Sequence, residues 1–67
     1  MRIDRIKFAA ELARADINIK MLAERAGVSR VTITSVRSGK SCSDATAEKL
    51  AIGLGVPVSA LVSESDQ

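Results

Sequence analysis

The chain contains no histidine, tryptophan or tyrosine, and only one cysteine, one proline and one phenylalanine. Each shortage removes a class of function. There is no histidine, no glycine-rich phosphate loop and no close acid pair with supporting residues, so no catalytic constellation is visible and an enzyme is not expected. Glu24 and Glu48 read as charges on exposed helix faces. Cys42 is the only cysteine, which rules out an intramolecular disulfide, and a zinc site has no second Cys or any His to draw on. No metal or other cofactor is expected. A lone thiol fits a reducing, cytoplasmic setting, and Cys42 reads as a small half-buried residue rather than a redox sensor. With Phe8 as the only aromatic side chain, Ile, Leu, Val and Ala must fill the core.

Long hydrophobic runs are also missing. The longest uncharged stretch, Leu50 to Ser63, is interrupted by Gly53, Gly55 and Pro57, and it falls short of the roughly 18 apolar residues that suggest a spanning helix. The N-terminus meets acids before any continuous apolar stretch, unlike a secretion signal. No membrane association and no small-molecule ligand are expected. Apolar residues make up 46% of the 67 residues, which argues against disorder. One domain over residues 1–67 is expected. A domain of this size buries only about 60% of its unfolded surface, so its core must be efficient or a partner must help.

The net charge is only +2, but it is unevenly placed. Residues 25–43 hold Arg25, Arg30, Arg37 and Lys40 and no acid. Residues 44–67 set Lys49 against Asp44, Glu48, Glu64 and Asp66. A basic centre beside an acidic tail is the footprint of a nucleic-acid binder, with a solvated, acid-free loop region as the alternative.

Five helical segments are legible. The first runs from about Asp4, a fair N-cap, to Ala15, with Phe8, Leu12 and Ala15 on one stripe and Ile3 placed to staple against Phe8. Asn18 caps a second helix over 19–26, which Gly27 ends in a left-handed conformation. Ser29 caps a third over 30–37. Ser43 caps a fourth over 44–54, where Asp44 complements the helix dipole and Ala47, Leu50, Ala51 and Leu54 form a clear apolar stripe. Pro57 starts a short fifth helix whose apolar face is Val58, Leu61 and Val62.

The third segment needs arbitration, because its alternating, β-branched Val31 to Val36 reads locally as a strand. No convincing partner strand exists, and a lone strand cannot satisfy its backbone groups. Ser29 is a cap, Gly39 is a stop, and Ile33 and Val36 lie three apart on one helical face. The segment is therefore a helix that packing must hold, since its intrinsic propensity is poor.

The informative feature is the spacing of Leu22-Ala23, Gly27-Val28, Ile33 and Val36. Two helices meeting steeply after a short turn need a small residue at the crossing, and Ala23 fits it. Gly27 supplies the positive φ of the turn. Val28 plugs the turn into the core, and Leu22, Ile33 and Val36 bury the underside.

The run Met21-Leu22-Ala23-Glu24-Arg25-Ala26-Gly27-Val28-Ser29 resembles the second helix and turn of the Cro and repressor-type helix-turn-helix proteins, the Xre family. Ser38-Gly39-Lys40 resembles that family's exit from the third helix, and Ala51 to Val56 resembles the end of its fourth. The likeness covers about residues 6–62. It implies an all-α, five-helix, lambda-repressor-like domain with the helix-turn-helix in helices 2 and 3. Three positions depart from the family's usual residues. Ile19 stands where Gln often opens the second helix, Arg37 where Glu often ends the third, and Cys42 where Pro often lies.

The resemblance implies that the third helix enters the major groove of double-stranded DNA. With Ile33 and Val36 inward, Arg30, Val31, Thr34, Ser35 and Ser38 face out. Arg30 is the candidate for bidentate contact with a guanine, with a phosphate contact as the alternative. Val31 is the candidate for a thymine methyl, with packing against the second helix as the alternative. Thr34 and Ser35 are candidates for either base type. Phosphate contacts are expected from Asn18, Lys20, Ser29, Arg37, Ser38, Lys40 and Ser41. The function implied is a sequence-specific transcriptional regulator of the repressor type. A protein-interaction module, such as an antitoxin or co-regulator on the same fold, is the alternative. Operators for such folds are paired half-sites, so a homodimer is expected, through Val58, Leu61, Val62 and Ile52.

Overall fold

The computed structural model describes residues 2–62. Glu64 and Asp66 of the acidic tail, and the ends of the expected 1–67 domain, lie outside the described residues. The order of elements is α1 (Arg5–Ala15), α2 (Ile19–Ala26), α3 (Arg30–Arg37) and α4 (Asp44–Leu54), followed by a 3₁₀ turn (Val58–Ala60).

Side-chain oxygens open every α-helix. Asp4 Oδ1 accepts the N–H groups of Ile6 and Lys7 at 2.8 and 3.1 Å. Asn18 Oδ1 accepts that of Met21 at 2.8 Å, Ser29 Oγ that of Thr32 at 3.1 Å, and Ser43 Oγ that of Thr46 at 3.1 Å. Each such cap contributes about 1 kcal/mol by satisfying a backbone donor the helix itself leaves orphaned. Asp16, in the left-handed conformation at φ 56°, ends α1.

One core holds the elements together. Phe8, Leu22, Ile33, Leu50 and Leu61 are fully buried and belong to a single cluster. Ile3 and Phe8 are buried on either side of the Asp4 cap, in the staple positions. The α4 stripe of Ala47, Leu50, Ala51 and Leu54 is buried as expected, and α2 makes its main packing on it. Gly53 makes that approach close. A Cβ there would lie 2.9 Å from Leu22 Cδ1 and 3.0 Å from Ala26 Cβ.

The expected fifth helix is a correction. Only Val58–Ala60 coil, with i→i+3 bonds from Ala60 and Leu61. The Leu61 carbonyl instead accepts the Asp4 N–H at 2.8 Å, and Val62 forms an antiparallel bridge with Ile3. Lys7 Nζ donates to the Val62 carbonyl at 2.9 Å. The coil ends at Ala60 with Leu61 as its cap, and Val62 belongs to the bridge instead. The two ends of the described chain are thereby tied together over Phe8.

Candidate nucleic-acid interface

The turn between α2 and α3 sets how α3 is presented. Gly27 sits at φ 71°, and its N–H and that of Val28 both donate to the Ala23 carbonyl, at 2.9 and 3.2 Å. A side chain at this φ would crowd the following carbonyl, which is why the chain uses glycine. Val28 is half-buried against the core. Ile33 and Val36 are buried, which turns the opposite face of α3 to solvent.

That face and the start of α2 line one open groove, which brings together Arg30, Val31, Thr34 and Ser35 with Asn18, Ile19 and Lys20. All four candidate base-contacting residues are there. Arg30 and Thr34 are exposed, while Ser35 is half-buried at the margin. Val31 is 75% exposed, which disfavours the alternative of packing against α2. The groove carries two bases and no acid. Among the described residues the only ion pair is Arg14 with Glu11, at 3.3 Å, and no carboxylate of those residues pairs with Lys20, Arg30, Arg37 or Lys40.

The candidate phosphate contacts separate into distinct situations. Lys20 lies in the groove, and Arg37, Lys40 and Ser41 are exposed outside it. The Ile19 and Lys20 N–H groups, in the first turn of α2, have no acceptor among the described residues. Such donors, with the helix dipole behind them, suit an anion. Asn18 and Ser29 use their side-chain oxygens as caps, and Ser29 Oγ also pairs with Thr32 Oγ1 at 2.9 Å. The Ser38 hydroxyl donates to the Ser35 carbonyl at 2.7 Å, so its proton is committed within the helix end. A phosphate oxygen only accepts, and reaching it from Ser38 requires breaking that bond.

Of the residues assigned to a subunit contact, Ile52 is 75% exposed, and Val58 and Val62 are half-buried. Leu61 is a correction. Its side chain is fully buried in the core, where it seals the joined chain ends, and it offers nothing to a second subunit.

Cys42 is half-buried and packs against the core. Desolvation raises its thiol pKa above the ordinary value, and Asp44 adds to the rise. Among the described residues no group of His, Cys, Asp or Glu assembles into a metal site, and no helix is long and apolar enough to cross a membrane.

Two features of the surface are not visible as interface residues in the sequence. Ile19 reads there only as the absence of a hydrogen-bonding glutamine, yet it lines the groove beside Val31. Arg2 and Arg5 are masked by acids near them in sequence. The structure sets them in a second recess with Ser38 and Gly39, directly after α3, and the Arg5 side chain lies over Gly39.

Two short helices joined at a left-handed glycine, with the second held outward by a buried aliphatic pair, define a helix-turn-helix protein. A helix-turn-helix family model matches residues 8–61, and the chain belongs to that Xre/Cro-like family. The family is one of DNA-binding transcription regulators and is typically non-enzymatic. No curated protein and no solved structure matches the chain.

Proposed function

We propose that this chain is a cytoplasmic, sequence-specific transcriptional repressor that binds double-stranded DNA as a homodimer and reads the major groove with α3. The observation that carries this reading is the outer face of α3. Arg30, Val31, Thr34 and Ser35 share one groove with Lys20, without an acid in its lining. Arg30 makes a bidentate contact with a guanine, Val31 meets a thymine methyl, and Thr34 and Ser35 complete the base contacts. Lys20, Arg37, Lys40, Ser41 and the first turn of α2 hold phosphates, with Asn18 and Ser29 contributing through the backbone. Paired half-sites match a two-fold dimer, for which Ile52, Val58 and Val62 supply apolar surface.

Selection of bound duplexes from a random pool tests the reading. Paired half-sites about one helical turn apart are expected. On the selected duplex, Arg30→Ala is expected to cost about 1–3 kcal/mol and to relax one base position, whereas Lys40→Ala weakens all sequences alike and lowers the salt dependence. Unchanged affinity in both variants refutes the interface. Sedimentation that shows only monomer, both alone and on DNA, refutes the dimer.

A further inference from the structure

The reading groove has an apolar wall that hydrogen bonding to bases does not use. Ile19 opens α2 and is half-buried, with part of its side chain packed against the core and part lining the groove. Val31, which lines the same groove from α3, is 75% exposed. Core packing holds Ile19 in place, and the two aliphatic side chains line one open groove between the start of α2 and the outer face of α3. In a major groove the base edges present donors, acceptors and one kind of apolar group, the C5-methyl of a pyrimidine. We propose that Ile19 and Val31 together form a receptor for a pyrimidine 5-methyl group, which makes Ile19, on the supporting helix, a specificity-determining residue. The proposal rests on the DNA-binding reading above and adds to it a contact from outside the reading helix. Thymine supplies the methyl in unmodified DNA, and 5-methylcytosine supplies the same group in methylated DNA.

The test begins with the unaltered protein and its selected duplex, whose thymines are replaced one at a time by deoxyuridine. That replacement removes only the methyl group. Affinity is expected to fall about fourfold at one thymine of each half-site, the equivalent of one buried methyl. Ile19→Gln abolishes this sensitivity, and Ile19→Val keeps most of it. Placing cytosine and then 5-methylcytosine at the same position separates the two sources. A gain on methylation that still leaves the thymine duplex tighter assigns thymine, and a methylated duplex tighter than the thymine one assigns modified DNA. If no thymine shows a loss and methylation brings no gain, the receptor is refuted together with the Val31–thymine contact proposed above, while DNA binding stands. If Ile19→Gln keeps the full sensitivity, Ile19 has no part in it. If the unaltered protein selects no duplex at all, the failure lies in the proposed function itself. A deoxyuridine loss by itself is already expected from Val31, so the Ile19 variants, each checked for native helix content by circular dichroism, decide whether Ile19 shares the contact.

Discussion

Replacing Gly53 by alanine sets two physical effects against each other with opposite signs. Gly53 lies inside α4, where alanine is the better helix former by about 1 kcal/mol. Taken alone, that makes Gly53→Ala stabilising. The packing says otherwise. The new Cβ would stand 2.9 Å from Leu22 Cδ1, 3.0 Å from Ala26 Cβ and 3.2 Å from the Ala26 backbone nitrogen. Carbon atoms rest about 3.5–4.0 Å apart, so the two helices must separate by roughly 0.5–1 Å. Leu22 is fully buried in the core cluster, so its methyl can give way only by repacking its neighbours, while the Ala26 nitrogen belongs to the α2 backbone. Overpacking of this kind costs about 1–3 kcal/mol. The net expectation is a loss of about 1 kcal/mol after the propensity gain is subtracted. For a domain of this size the loss lowers Tm by about 4–8 °C. Urea and thermal unfolding followed by circular dichroism measure it. A variant more stable than the parent by the propensity increment would show that α2 and α4 part at no cost, and the close approach would carry no weight.

Ser29→Ala removes the acceptor for the Thr32 N–H and is expected to destabilise the chain by about 1 kcal/mol, with Ser29→Asp recovering most of it; equal urea midpoints for all three proteins would refute the cap. Gly27→Ala meets no atom within 4 Å yet must hold φ near 71°, so it is expected to lose about 1 kcal/mol through the backbone alone, and Gly27→Asn less; equal losses for Ala and Asn would count against that cause. The Cys42 thiol, raised by desolvation, is expected to ionise at higher pH in the folded than in the urea-unfolded chain, as read by thiolate ultraviolet absorbance. A raised pKa favours the protonated form on folding. The linked stability is therefore present below the unfolded-state value and is lost as the pH climbs through the folded one. A folded thiol that ionises first would reverse the sign and refute the burial argument.

The helix limits are legible in the sequence because the residues that set them act locally. Asp4, Asn18, Ser29 and Ser43 each bond an N–H two or three positions on, and Gly27 and Gly55 each take the left-handed conformation that ends a helix. α3 is legible for a different reason. Its β-branched run prefers a strand, but the chain offers it no partner, and burial of Ile33 and Val36 overrides propensity. What is not legible depends on residues far apart in the chain. The short turn after Pro57 looks helical until the Leu61 carbonyl is claimed by Asp4. Gly53 looks like a weak point in α4 until the path of α2 is known, and then it is a position where Leu22 and Ala26 leave no room for a side chain.

The site divides along the same line. Once Ile33 and Val36 point inward, helical geometry alone turns Arg30, Val31 and Thr34 outward, so those assignments need no tertiary information. The hydroxyls are another matter. Nothing in the sequence says that the Ser38 proton is already given to the Ser35 carbonyl, or that Ser29 Oγ, besides capping α3, pairs with the Thr32 hydroxyl. Polar residue type marks a candidate contact, but only the bonds already made decide whether a donor is left over. Ile19 carries the same logic to the opposite result. As a replacement for glutamine it counts as a hydrogen bond removed. Beside Val31 in the groove it counts as apolar surface added, at a place where the only matching group on a duplex is a methyl. A departure from a family's usual residue is thus a loss or a gain according to what the fold sets next to it.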